Sequence, residues 1–399
     1  MNRSIPMYVI WISSLVMSGC TESMDSPIAS RSVTLEVDQA ASAIGFAGLT
    51  GGGIHTCGWT ASGRAFCWGA NNSDQLGNNT NTDSPVPVAV GGGLMFASVS
   101  AGPGTGTGAS QTCAVTLGRA AYCWGYNSNG QLGNNATADS PLPVAVAGDL
   151  NFRAISSGQV HTCGLTTAGV AYCWGGNGSG QLGDNTTTDS PVPVAVAGGL
   201  IFSSLSSGAV HTCGLTPGGT VYCWGANFNG QLGNNSTVES HVPVAVVGTA
   251  NFRLVSSGNF HTCGLTSEAA VYCWGWNGAG QLGNNSTSNS PIPVVVAGDL
   301  RFRSVSAGLF HTCALTPPGA AYCWGGNGEG QLGDNGTTDS HVPVPVVGGL
   351  NFLSLSAGGH HNCALVAGGA AYCWGANPFG ELGNGSVGGI SNVPTKVEE

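Results

Sequence analysis

NFRAISSGQVHTCGLTTAGVAYCWGGNGSGQLGDNTTTDSPVPVAVAGGL, residues Asn151 to Leu200, is the cleanest copy of a unit that occurs seven times in the chain. From Cys163 onward the first Cys of the unit recurs every fifty residues. One step is longer, fifty-six residues from Cys57 to Cys113, because Pro103 to Gly108 adds PGTGTG. That insertion reads as a loop. A period of this length belongs to propellers, solenoids or stacked arrays, and the elements inside the unit decide among them. Four short strands and no helix are predicted per unit. They are FRAIS, with β-branched and aromatic members, then HTCGL and VAYCWG flanking a Thr-Ala-Gly turn, then PVPVAV after a loop rich in Gly, Asn and Thr.

A tight hairpin centred near Ala168 sets Cys163 opposite Cys173, Thr162 opposite Trp174 and Gly164 opposite Tyr172, so that small residues meet large aromatics. Cross-strand partners lie about 4.5 to 5.5 Å apart at Cα, which a disulfide tolerates. The same spacing, nine residues between the two Cys, recurs as Cys57 with Cys67, Cys113 with Cys123, Cys213 with Cys223, Cys263 with Cys273, Cys313 with Cys323 and Cys363 with Cys373. Each unit is therefore expected to be a stapled hairpin, worth roughly 2 to 3 kcal/mol per bridge in the chain-entropy account. The competing chemistry is zinc held by His161, Cys163 and Cys173. It is disfavoured because the second unit has Gln111 in place of His, because residues two apart on a strand are about 7 Å apart, and because thiolates do not persist in an oxidising compartment. The His of the HTC element is expected to be a buried ring bonded to neighbouring backbone.

Composition agrees with an all-β fold. Of 399 residues only 7% are charged, while Gly supplies 67 and Pro 19, which excludes helical bundles and coiled coils. Nine Lys plus Arg against nineteen Asp plus Glu, a net charge of −10, exclude a nucleic-acid partner. The 42% hydrophobic content suffices for a large core, so disorder is excluded too.

Residues 1–19 read as an export signal of the lipoprotein type. Arg3 precedes an apolar run from Met7 to Met17, and Ser18-Gly19-Cys20 follows. The ending LVMSGC resembles bacterial lipoprotein signals, which implies acylation of Cys20 and a place in the cell envelope, at the outer membrane or surface; the plainer reading is secretion. Residues 20–40 read as a tether and 41–399 as the repeat domain. The only membrane contact expected is the lipid anchor.

The succession G-x-x-H-T-x-x-L, Y-x-W-G-x-N-x-x-G-Q-L-G and P-x-P-V resembles the regulator-of-chromosome-condensation repeat, from about Phe46 to Val397. The resemblance implies a seven-bladed β-propeller with four-stranded blades, closed as one monomeric ring by the C-terminal strand Val393 to Val397 lying against a strand near Phe46. It also implies that the recurring Trp68, Trp124, Trp174, Trp224, Trp274, Trp324 and Trp374 pack between blades. The family's namesake promotes nucleotide exchange on the nuclear GTPase Ran, and a secreted bacterial relative inhibits β-lactamases. A shared propeller does not choose among such roles.

No enzyme, cofactor or metal is expected. The polar residues that could do chemistry recur around the ring, as architecture does. Asp74, Glu329 and Glu381 depart from the repeat but read as solvated loop residues, and DNTTTD, Asp184 to Asp189, lacks the alternating carboxylates of a calcium loop. The expected activity is binding of a protein partner whose identity the sequence does not give. The two residues before His-Thr and those following Trp-Gly lie at the same end of each hairpin, and both vary between units. The candidates for a binding face are Ile54, Gln159, Val160, Val210, Asn259, Phe260, Phe310 and His360 at the lead-in, with Tyr126, Phe228, Trp276 and Phe379 at the exit. Aromatic anchors dominate protein interfaces. The alternative is that Val160, Val210, Phe260 and Phe310 merely plug the narrow end of the ring.

Overall fold

The computed structural model describes residues 44–104, 110–248 and 250–398. The signal segment, Cys20 and the tether lie outside the described residues. Each unit forms one four-stranded antiparallel sheet whose strands follow chain order, and the described residues make seven such sheets. In the third blade the strands are Phe152–Ser157, His161–Thr166, Ala171–Gly175 and Ser190–Ala195. Thr162 pairs with Trp174, Cys163 with Cys173 and Gly164 with Tyr172. All seven predicted disulfides form, with Cα atoms 4.0 to 4.1 Å apart. That is the spacing of the closer, non-hydrogen-bonded kind of pair. The Pro-rich fourth strand is the free edge of its sheet, where missing N–H donors cost nothing.

The first strand of every blade packs on that of the next, Phe352–Ala357 on Phe46–Gly51 included, so the ring closes. The closure differs from the expected one. The C-terminal strand, Ile390–Lys396, pairs with Ala371–Ala376 of its own blade, and Phe46–Gly51 pairs with His55–Thr60. Each repeat supplies all four of its strands, so none is left over to be shared. Phe46 and Val397 instead meet in one apolar cluster, and the Phe46 N–H donates to the Gly369 carbonyl at 3.1 Å.

The core lies between blades. Cys163, Leu165, Cys173 and Leu182 of the third blade enclose Phe202 and Trp224, and Trp224 belongs to the fourth. Truncating a buried aromatic of this kind costs about 3 to 5 kcal/mol. Hydrogen bonds aim it: the Gln181 carbonyl accepts both Trp224 Nε1–H, at 3.0 Å, and the Thr212 hydroxyl, at 3.1 Å. A ladder of hydroxyls links the first strands of successive blades. Thr50, Ser100, Ser156, Ser206, Ser256, Ser306 and Ser356 each accept a backbone N–H from the following blade, the last from Gly51.

Candidate functional site

The lead-in and exit segments meet at every blade. The N–H of the residue after Trp-Gly donates to the carbonyl of the residue before His or Gln, as Gly176 to Val160 at 2.7 Å, Trp276 to Phe260 at 2.8 Å and Ala376 to His360 at 2.9 Å. The preceding Gly makes this turn possible. Gly175 has φ +99°, and a Cβ there would lie 2.6 Å from the Val160 oxygen. The variable side chains of both segments thus emerge together on one face of the ring.

On that face the aromatics touch across blades. Phe228 meets Phe260 with ring centroids 5.3 Å apart, Trp276 meets Phe310 at 5.4 Å, and Phe310 meets His360 at 5.5 Å. Blades four to seven therefore share an aromatic arc. Phe228 is 59% exposed, whereas Phe260, Trp276, Phe310, His360, Tyr126 and Phe379 are half-buried, as are Gln159, Val160 and Val210. Ile54 and Asn259 are buried, and Ile54 lines a cleft beside the seventh blade. Val160, Val210, Phe260 and Phe310 are half-buried, so they keep part of their surface in solvent.

The recurring histidines are buried, but their partners are side chains rather than the expected backbone. His211 Nε2 bonds Thr262 Oγ1 of the next blade at 2.9 Å, and His361 bonds Thr56 at 2.8 Å, across the closure. Because the Thr262 hydroxyl donates to the Gln231 carbonyl, it must accept from His211, which fixes the neutral tautomer with its proton on Nε2. Burial pushes His55, His161, His211, His261 and His361 down to about 3, and His311 to about 4. In the DNTTTD loop the carboxylates are engaged internally. Asp184 accepts from Asn177 Nδ2 and Thr186 N–H, and Asp189 accepts the Asn177 N–H.

One acidic departure does not share the solvated role expected of all three. Glu329 is exposed and Asp74 half-buried, but Glu381 is only 2% exposed, at a cleft between the seventh and first blades. Burial raises its carboxyl to about 7, Asp83 adding to the shift. Its position in the repeat is that of Gln, whose side chain folds back onto its own loop, and this local bond draws it out of solvent. Reading the loop as a surface turn hid that.

Residues 104–399 match the family model of the RCC1-like domain, and residues 62–105 match that of the regulator of chromosome condensation (RCC1) repeat. The chain belongs to the RCC1-like family. Yeast RCC1 (Prp20), solved with Kap60, is similar at 21% identity and a TM-score of 0.73, with 84% of this chain and 83% of that one covered. Human WBSCR16 is similar at 21% identity and a TM-score of 0.75, covering 84% and 94%. The CRINKLY WD40 ectodomain of the Arabidopsis thaliana receptor kinase ACR4 is similar at 19% identity and a TM-score of 0.53, covering 88% and 99%. At these identities the likeness is one of fold.

Proposed function

We propose that this RCC1-like chain is a non-enzymatic binding or scaffold propeller that works outside the cytoplasm, in the cell envelope, and engages a protein partner through the face carrying the aromatic arc. The observation that carries the proposal is the arc itself: Phe228, Phe260, Trp276 and Phe310 occupy the positions where the repeat is free to vary, and they join across blades. Rigid aromatic surface of this kind supplies contact area at low entropic cost. The recurring His, Thr, Gln and Trp are spent on interblade hydrogen bonds, which supports architecture rather than catalysis. Seven disulfides suit an oxidising compartment, and Cys20 would hold the ring at the membrane. Among proteins of the same fold, yeast RCC1 is found bound to Kap60, and Prp20p has been studied for its binding to Gsp1p and histones. Crosslinking capture from the cell envelope tests the proposal. Phe260→Ala with Trp276→Ala should lower capture at least tenfold while moving the melting temperature by only a few degrees. Full capture by a variant with a large loss of stability would overturn it.

A further inference from the structure

The cleft between the seventh and first blades opens on the face of the aromatic arc and encloses about 450 Å³. Most of its walls are places where the seventh unit abandons the repeat. Glu381 stands where the other six units have Gln75, Gln131, Gln181, Gln231, Gln281 and Gln331. Phe379 replaces smaller or polar residues of the exit loop, and Ile390 opens a fourth strand reached by a segment one residue longer than in the third unit, Gly383 to Ser391 against Gly183 to Ser190. The first blade contributes Ile54.

Among the described residues the acidic side chains of the cleft face no Lys or Arg. Glu381 accepts the Phe379 N–H at 2.9 Å, the bond that Gln181 makes to Ser179 in the third blade, so the local fold needs the acceptor and not the acid. Glu329 also lines the cleft, and among the described residues no Lys or Arg does. His360 does not supply the missing cation, since burial lowers its affinity for a proton, with Glu329 only partly opposing. A space of this size lies in the range of ligand sites. Carboxylate, aromatic ring and aliphatic wall together suit an organic cation on a carbon stem, because a charge-assisted bond forms at one end and apolar area is buried along the rest.

We infer that this cleft binds the alkylammonium end of a lysine side chain presented by the partner, its charge against Glu381 and its stem against Ile54, Phe379 and Ile390. The inference rests on the binding-face reading and names what that face recognises. Calorimetric titration of the full chain with n-pentylammonium and with n-pentanol, probes of equal length and different charge, tests it. Pentylammonium should bind at least tenfold tighter than pentanol. Glu381→Gln restores the residue of the other six blades, so it should fold as the wild type does, and it should abolish the preference. Ser206→Ala, in the hydroxyl ladder and outside both the arc and the cleft, should retain it. Equal binding of the two probes, no binding of either, or an unchanged preference in Glu381→Gln would overturn the inference. Partner capture through the arc is read in a separate assay, so the failure of one reading is distinguishable from failure of the other.

Discussion

Glu381 and the ring histidines respond to pH in opposite directions. A carboxyl raised to about 7 in the folded chain, against 4.5 for its ordinary value, makes the native state bind the extra proton. Its contribution to stability is present below 4.5 and is lost as pH rises through 7. The histidines, lowered to about 3 from 6.5, contribute stability above 6.5 that is lost as pH falls. Denaturant unfolding of the wild type and Glu381→Gln across this range separates the two. The wild type should lose about 3 kcal/mol relative to the variant between pH 4.5 and pH 7, since a tenfold difference in proton affinity between the folded and unfolded chain is worth about 1.4 kcal/mol. A difference independent of pH would show that folding leaves the proton affinity of Glu381 unchanged. Both proteins should weaken together in acid as the six histidines take up protons.

Within a blade, the hairpin register follows from the two Cys alone, because the disulfide and the alternation of small and large residues specify the same partners. Even the first blade's departure obeys this logic: Trp59 replaces Leu and faces Gly48, and a side chain at residue 48 would collide with the indole. The hydroxyl ladder was not legible, since a Ser in a strand carries no sign of whether its oxygen meets water or the next sheet. Its energetic role can be measured. Ser206→Ala removes the acceptor of the Ser257 N–H, a bond of 2.8 Å, and should cost about 1 to 2 kcal/mol on unfolding. The variant's melting should otherwise remain a single transition. The binding face was legible as a set of variable positions, because the repeat itself exposes what varies. Which of them touch was not, because the arc depends on the spacing between blades. The buried Glu381 escaped because a bond to its own loop draws it out of solvent, and the walls of its cleft come from the first, sixth and seventh blades.

For the molecule as a whole, the boundary between the seventh blade and the first is built like the other six. The hydroxyl of Ser356 accepts from Gly51, His361 reaches Thr56, and Trp68 donates to the Glu381 carbonyl at 2.9 Å. Among the described residues no strand crosses that boundary, so the point at which the ring is opened should be immaterial to stability. A circular permutant opened between Gly198 and Gly199, with Val397 and Phe46 joined by a short flexible linker, should fold and melt within a few degrees of the parent. Failure to fold would assign the present opening a role in closure that its contacts do not reveal. The self-contained blade also bears on how such a ring arises. Gaining or losing one repeat of the sequence gains or loses a whole sheet with its own disulfide, never half of one, so inheritance and geometry count in the same unit.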